Sequence, residues 1–131
     1  MRSMQKYLLV IAVIVAIAAC KKPDTGIGED KISFTIDATN GAFSAAANYP
    51  FKLQLKSKMP PGGIKIEILA NQEASGTAVT PQTPAFTTKD TLVNTAVSNL
   101  PRQLWVVTKV RVSSVTTTTN KDSATFRVIF K

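Results

Sequence analysis

Three stretches of this chain alternate apolar and polar residues with a period of two, and that period commits them to strands with one buried face. Ile32, Phe34 and Ile36 alternate with Ser33, Thr35 and Asp37; Phe51, Leu53 and Leu55 with Lys52, Gln54 and Lys56; Ile64, Ile66 and Ile68 with Lys65 and Glu67. Leu92 to Val97, Leu104 to Val112 and Ala124 to Phe130 read as three more strands, and a short one is expected at Thr77 to Thr80. No stretch sustains a helical period, and the abundance of Thr, Val and Ile suits a pleated surface. Met59-Pro60-Pro61-Gly62-Gly63 fits a tight reversal, because Pro fixes φ and Gly accepts a positive one. Thr116 to Asp122 is expected as a polar hairpin loop, with Ser114 and Ser123 as loop residues. Gln72 to Lys89, rich in Thr, Pro and Ala, reads as a long loop or an edge-strand excursion.

The N-terminus has a different character. Arg2 and Lys6 precede an apolar run of about ten residues from Tyr7 to Ala16, and Ile17-Ala18-Ala19 then leads into Cys20, the only cysteine. This order resembles a bacterial lipoprotein signal, with Ile17 to Cys20 as the lipobox. The apolar stretch from Tyr7 to Ala19 is about thirteen residues, short of the roughly twenty that a spanning helix needs. The resemblance implies a leader over 1–19, removal of that leader, and a lipid on Cys20 that ties the chain permanently to a membrane. A lipidated cysteine has no thiol left for a disulfide, a metal or a nucleophilic attack. Lys21 follows Cys20 where enterobacterial lipoproteins retained at the inner membrane carry Asp, so the outer membrane is the expected address. The Cys-Lys start with later acids, Glu29 and Asp30, also resembles the surface-export signal of Bacteroidota lipoproteins. Residues 20–30, with Pro23, Gly26 and Gly28 and little apolar content, are expected to form a flexible tether.

Residues 31–131 then suffice for one domain with a core of its own. About seven short strands separated by turns match the pattern of an antiparallel β-sandwich of immunoglobulin-like type. Asn99-Leu100-Pro101 followed by Leu104 to Val112 resembles the stretch leading into strand F of fibronectin type III domains, with Trp105 where that family carries Tyr and a spacing one residue shorter. The resemblance implies an architecture and carries no active site with it.

The full chain has sixteen Lys and Arg against eight Asp and Glu. Removing Arg2 and Lys6 with the leader leaves fourteen against eight, a net charge of +6. A basic surface attracts nucleic acid, anionic lipid and acidic glycan alike, and an envelope address makes nucleic acid the poorest fit. The same lysines also keep strand edges soluble.

Catalytic sets are hard to assemble from this composition. The chain has no histidine, which removes the commonest general base and metal ligand together. Glu29 and Asp30 are the one adjacent acidic pair beyond Asp24, and charge in a tether is expected to be solvated rather than to hold calcium. Glu67, Glu73, Asp90 and Asp122 form no evident pair for glycoside hydrolysis. Pro61-Gly62-Gly63 precedes a strand, whereas a phosphate loop needs a helix behind it. The chain is therefore expected to be no enzyme and to carry no cofactor or metal; a small envelope hydrolase would need a site built without histidine.

One constellation remains. If the strands containing Lys65, Lys109 and Arg127 pair in one sheet, Lys65, Lys109, Arg111 and Arg127 share an outer face, with Trp105 near one end. Cations beside an aromatic suit acidic sugar or phosphorylated lipid; packing of Trp105 at the sandwich end, with solvated cations, is the plainer outcome. The expected protein is a lipid-anchored outer-membrane binding or adhesion module for acidic glycan or another envelope component. The alternative is an accessory subunit of a surface complex, joined through a β edge.

Overall fold

The computed structural model describes residues 29–131; Cys20, the leader and the tether up to residue 28 lie outside the described residues. Eight strands follow in chain order: β1 (Phe34–Ile36), β2 (Ala42–Ser44), β3 (Tyr49–Leu55), β4 (Ile64–Gln72), β5 (Phe86–Thr88), β6 (Leu92–Val97), β7 (Trp105–Ser114) and β8 (Lys121–Phe130). They form two sheets, β1-β3-β6 and β2-β8-β7-β4-β5, packed as a β-sandwich around one core.

The alternation read from the sequence becomes the core directly. Phe51, Leu53 and Leu55 of β3 face Ile64, Ile66 and Ile68 of β4, Val106, Val110 and Val112 of β7, and Phe126 and Val128 of β8, all buried. Phe126 is the hub: the Phe51 ring meets it edge-on at 5.4 Å and the Tyr49 ring lies at 5.9 Å. Thr108 occupies a core position between Ala70 and Phe126, and its hydroxyl is buried with no hydrogen-bond partner.

Several expectations change. The strands number eight where about seven were expected, and the sandwich is not purely antiparallel, because β2 pairs with β8 in parallel. Three residues flanked by a turn at Gly41 (φ 82) are too few to show a period, which is why β2 was not legible. The short strand at Thr77 to Thr80 is a single bridge, Ala78 to Asn71; Val79 beside it is buried as a plug on the core. The rest of that segment ends in the edge strand β5. Gln82 fastens the segment to the end of β6 by accepting from Ser98 N at 2.8 Å and donating to Ser98 O at 2.6 Å. The expected loop at Thr116 to Asp122 is shorter, since β8 already begins at Lys121, and Ser114 and Ser123 lie in strands.

The Pro-Gly turn does more than reverse the chain. It carries it from β3 in one sheet to β4 in the other. Gly63 N donates to Pro60 O at 2.9 Å, and Val115 N donates to Gly63 O at 3.1 Å, so the crossover packs on the β7–β8 hairpin. A Cβ on Gly63 (φ +87) would lie 2.7 Å from Thr88 O, while one on Gly41 meets open space.

The same hairpin receives the first described residues. Glu29 accepts from Ser114 Oγ at 2.8 Å, Thr117 Oγ1 at 3.2 Å and Asn120 Nδ2 at 3.3 Å. Asn120 also accepts from Ile32 N at 2.9 Å and donates to Asp30 O at 2.9 Å. Ordered contacts thus begin inside the segment expected to be tether. They fix the entry point at one end of the sandwich, the hairpin end.

Candidate functional site

Pairing of β4, β7 and β8 sets out the outer face of the larger sheet in rows. From the hairpin end, Lys65, Ser113 and Lys121 form the first row, then Glu67, Arg111 and Ser123, then Leu69, Lys109 and Thr125, then Asn71, Val107 and Arg127. Trp105 and Ile129 close the face at the far end, where Phe43 of β2 lies beside Ile129. All five residues singled out from the sequence, Lys65, Trp105, Lys109, Arg111 and Arg127, stand on this face. Its length follows from β7: ten residues at about 3.3 Å each, roughly 33 Å.

The two halves of the face differ in chemistry. In the hairpin half, Glu67 receives both Lys65 at 3.7 Å and Arg111 at 3.9 Å. Lys109 and Lys121 form no ion pair among the described residues. A shallow depression of about 320 Å³ is lined by Lys109, Arg111, Lys121, Asp122 and Ser123, so cations predominate there. Such a surface offers point charges from two ammonium groups and a planar guanidinium to an anion.

In the far half the cations are already engaged. Arg127 donates through Nε at 3.1 Å and Nη2 at 2.7 Å to one oxygen of Glu73, and its guanidinium carbon lies 4.3 Å from the Trp105 ring centre. Lys131 Nζ lies 4.3 Å from the Phe43 ring centre, and the Phe43 and Trp105 rings are 6.1 Å apart. Trp105 is thus neither a core residue nor free in solvent: it is half-buried on the outside of the sheet. Ile129, between Phe43 and Trp105 in the strand register, is buried, although it lies outside the main core cluster. The exposed aromatic is Phe43, at 64%.

Beside Trp105 runs an open groove of about 350 Å³ lined by Gln72, Glu73, Ala74, Gln103, Leu104 and Trp105. Gln103 holds a left-handed backbone (φ 59) while its N donates to Phe130 O at 2.7 Å. That conformation costs a side-chain-bearing residue about 1 kcal/mol.

Sequence reasoning did not find Phe43, Glu73, Gln103, Leu104, Lys121 or Lys131 as members of this surface. Phe43 left one signal: it is the only bulky residue in the run from Asn40 to Asn48, whose small neighbours cannot build a core around it. The Glu29 latch was also missed, and it bears on the calcium reading of Glu29 and Asp30. Three donors surround the Glu29 carboxylate, an arrangement that satisfies an anion and leaves it a poor cation ligand. Those bonds hold its carboxyl below the usual glutamate range: the Ser114 hydroxyl contributes most, burial works against it, and Asn120 and Thr117 add to the lowering.

Among the described residues, no three acidic, histidine or cysteine side chains come together as a metal set, and no helix is long and apolar enough to cross a membrane. No family model matches the sequence, and comparison with curated proteins and with solved structures finds no match.

Proposed function

We propose that this chain is a non-catalytic binding module of the cell envelope, anchored through a lipid on Cys20, that holds an acidic glycan on the hairpin half of its outer face. The carrying observation is the depression formed by Lys109, Arg111 and Lys121, where two ammonium groups without ion-pair partners among the described residues flank a guanidinium. Uronate or phosphate groups spaced along a polymer match such a row of cations.

Position supports the reading. Eight residues lie between Cys20 and Glu29, a reach of about 30 Å, so a lipid on Cys20 would keep the cationic half next to the membrane. The outer membrane is the address that Lys21 favours. The finer immunoglobulin-like assignment of the sandwich belongs to the same proposal. It is supported by the strand order: β1, β3 and β6 fall as strands A, B and E of that fold, and β4, β7 and β8 as C, F and G.

The test is binding of the detergent-solubilised full chain to polygalacturonate, with dextran as the neutral comparison, at low and near-physiological salt. Binding is expected for polygalacturonate alone, weakening as salt screens the charges and disappearing in the combined Lys109→Ser, Arg111→Ser, Lys121→Ser variant. Binding that ignores salt, or survives in that variant, overturns the reading.

A second reading, an accessory subunit joined through a β edge, is favoured by β6. It is an edge strand of the smaller sheet, longer than the three-residue edges β1, β2 and β5, and it begins at the exposed Leu92. A partner strand added there would bind through backbone hydrogen bonds and with little response to salt.

A further inference from the structure

We infer that the far end of the outer face is a second binding site, separate from the cationic depression, that takes an uncharged pyranose ring of a glycan by stacking on the Phe43–Trp105 ledge. The site stands on three independent observations.

First, the apolar surface there is large and built rather than incidental. Phe43 is 64% exposed and Leu104 43%, and the half-buried Trp105 ring lies between the Phe43 ring and the groove that Leu104 lines. Each ring has a cation over one side, Arg127 on Trp105 and Lys131 on Phe43, which steadies it while Phe43 stays 64% exposed. An aromatic held in one orientation presents its face to a ligand with little entropy left to lose.

Second, the polar groups around the groove suit hydroxyls. Gln72, whose amide oxygen accepts from Ser75 Oγ, and Gln103 both line it, and Glu73 adds a carboxylate already oriented by Arg127. A wholly apolar partner would bury these groups without hydrogen bonds, which is unfavourable; a sugar ring, apolar on its C–H faces and hydroxylated at its rim, satisfies both kinds of surface. Gln103 reaches this position on a left-handed backbone held by its N–H bond to Phe130 O.

Third, the guanidinium beside the indole is already engaged. Arg127 is paired with Glu73 at 2.7 Å, and its guanidinium and the Lys131 ammonium each lie over an aromatic ring. An anion would have to compete with Glu73 for its cation. The groove volume of about 350 Å³ falls at the small end of ligand sites, about 300–1,000 Å³, which suits one or two sugar rings rather than a folded partner.

Trp105 is the only tryptophan in the chain, so its fluorescence reports the site directly. The experiment titrates the full chain with neutral hexasaccharides of glucose, N-acetylglucosamine, mannose and xylose. At least one is expected to give a saturable change in emission that high salt leaves intact. Phe43→Ala should weaken that binding about tenfold, and Gln103→Ala serves as a second variant should the first not fold. The combined Lys109, Arg111 and Lys121 variant should bind these probes normally, which separates this site from the acidic-glycan reading. Silence across the four probes, or a response unchanged in both Phe43→Ala and Gln103→Ala, overturns the inference. So does concentration-dependent dimerisation of the chain that Phe43→Ala abolishes, which would assign the ledge to a second copy.

Discussion

The guanidinium carbon of Arg127 lies 4.3 Å from the centre of the Trp105 ring. Glu73 holds it there from the end of β4, so one salt bridge across the sheet sets the surroundings of the only tryptophan. Both partners are 40% exposed, and the pair contributes only about 0.5 kcal/mol to stability. Glu73→Gln is therefore expected to leave the unfolding midpoint nearly unchanged and to shift Trp105 emission to longer wavelength as Arg127 releases the indole. Emission spectra and denaturant titrations of the same samples check both halves of this expectation.

Glu29 predicts a pH effect at the opposite end. Its folded-state carboxyl titrates below the usual glutamate range, so its bonds to Ser114, Asn120 and Thr117 stabilise the fold at pH values above that range. The contribution is lost as pH falls from the unfolded value through the lowered folded one. Glu29→Gln should be less stable than the native chain at neutral pH and should show a smaller loss on acidification. Denaturant midpoints of the two chains between neutral pH and pH 3 should converge; parallel curves would separate Glu29 from the acid response.

Thr108 is buried with an unsatisfied hydroxyl. Thr108→Val keeps the shape and removes the polar group, and it is expected to raise stability by about 1 kcal/mol. A lower unfolding midpoint in the variant would mean that the hydroxyl has a partner in solution.

Two phenylalanines separate packing from surface. Phe126 is 1% exposed and touches both Tyr49 and Phe51, so Phe126→Ala should cost about 3–5 kcal/mol. Phe43→Ala, at the exposed ledge, should cost under about 1 kcal/mol. Denaturant unfolding of the pair measures this contrast.

Two glycines with positive φ make a matching pair. Gly41→Ala meets open space and bears only the left-handed backbone cost of about 1 kcal/mol. Gly63→Ala also drives its Cβ against Thr88 O, so it should be clearly the more destabilised of the two and should loosen β5. Amide exchange in β5 distinguishes that outcome from a uniform loss of stability.

The legible part of the fold was the part with a period. β3, β4 and β7 run seven residues or more, long enough for alternation to identify both the strand and its buried face, and the outer-face cations followed from the same alternation. β2 and β5 have three residues each and are fixed by neighbours distant in sequence, as when Gly41 N donates to Arg127 O at 2.9 Å. Phe43 was hidden for that reason, and the ledge with it. Glu73 reaches Arg127 across 54 positions and Glu29 reaches Ser114 across 85; no local pattern encodes either pairing. Residues that looked like solvated charge in a linker became anchoring contacts because the hairpin presents its hydroxyls and amide to them.

The chain joins the hairpin end through Glu29 and exposes Phe43 at the other end. If the proposed anchor and the ledge were both loaded, tension would run along the strands, and the direct covalent path would be the stretch from Glu29 to Phe43. That stretch includes β1, paired with β3 from Phe34–Leu55 to Ile36–Leu53, and the Glu29 latch. Pulled lengthwise, these bonds slide against one another together instead of opening one by one like a zipper. Under such a load β1 and the Glu29 latch, rather than the larger sheet, would lie in the path of the force.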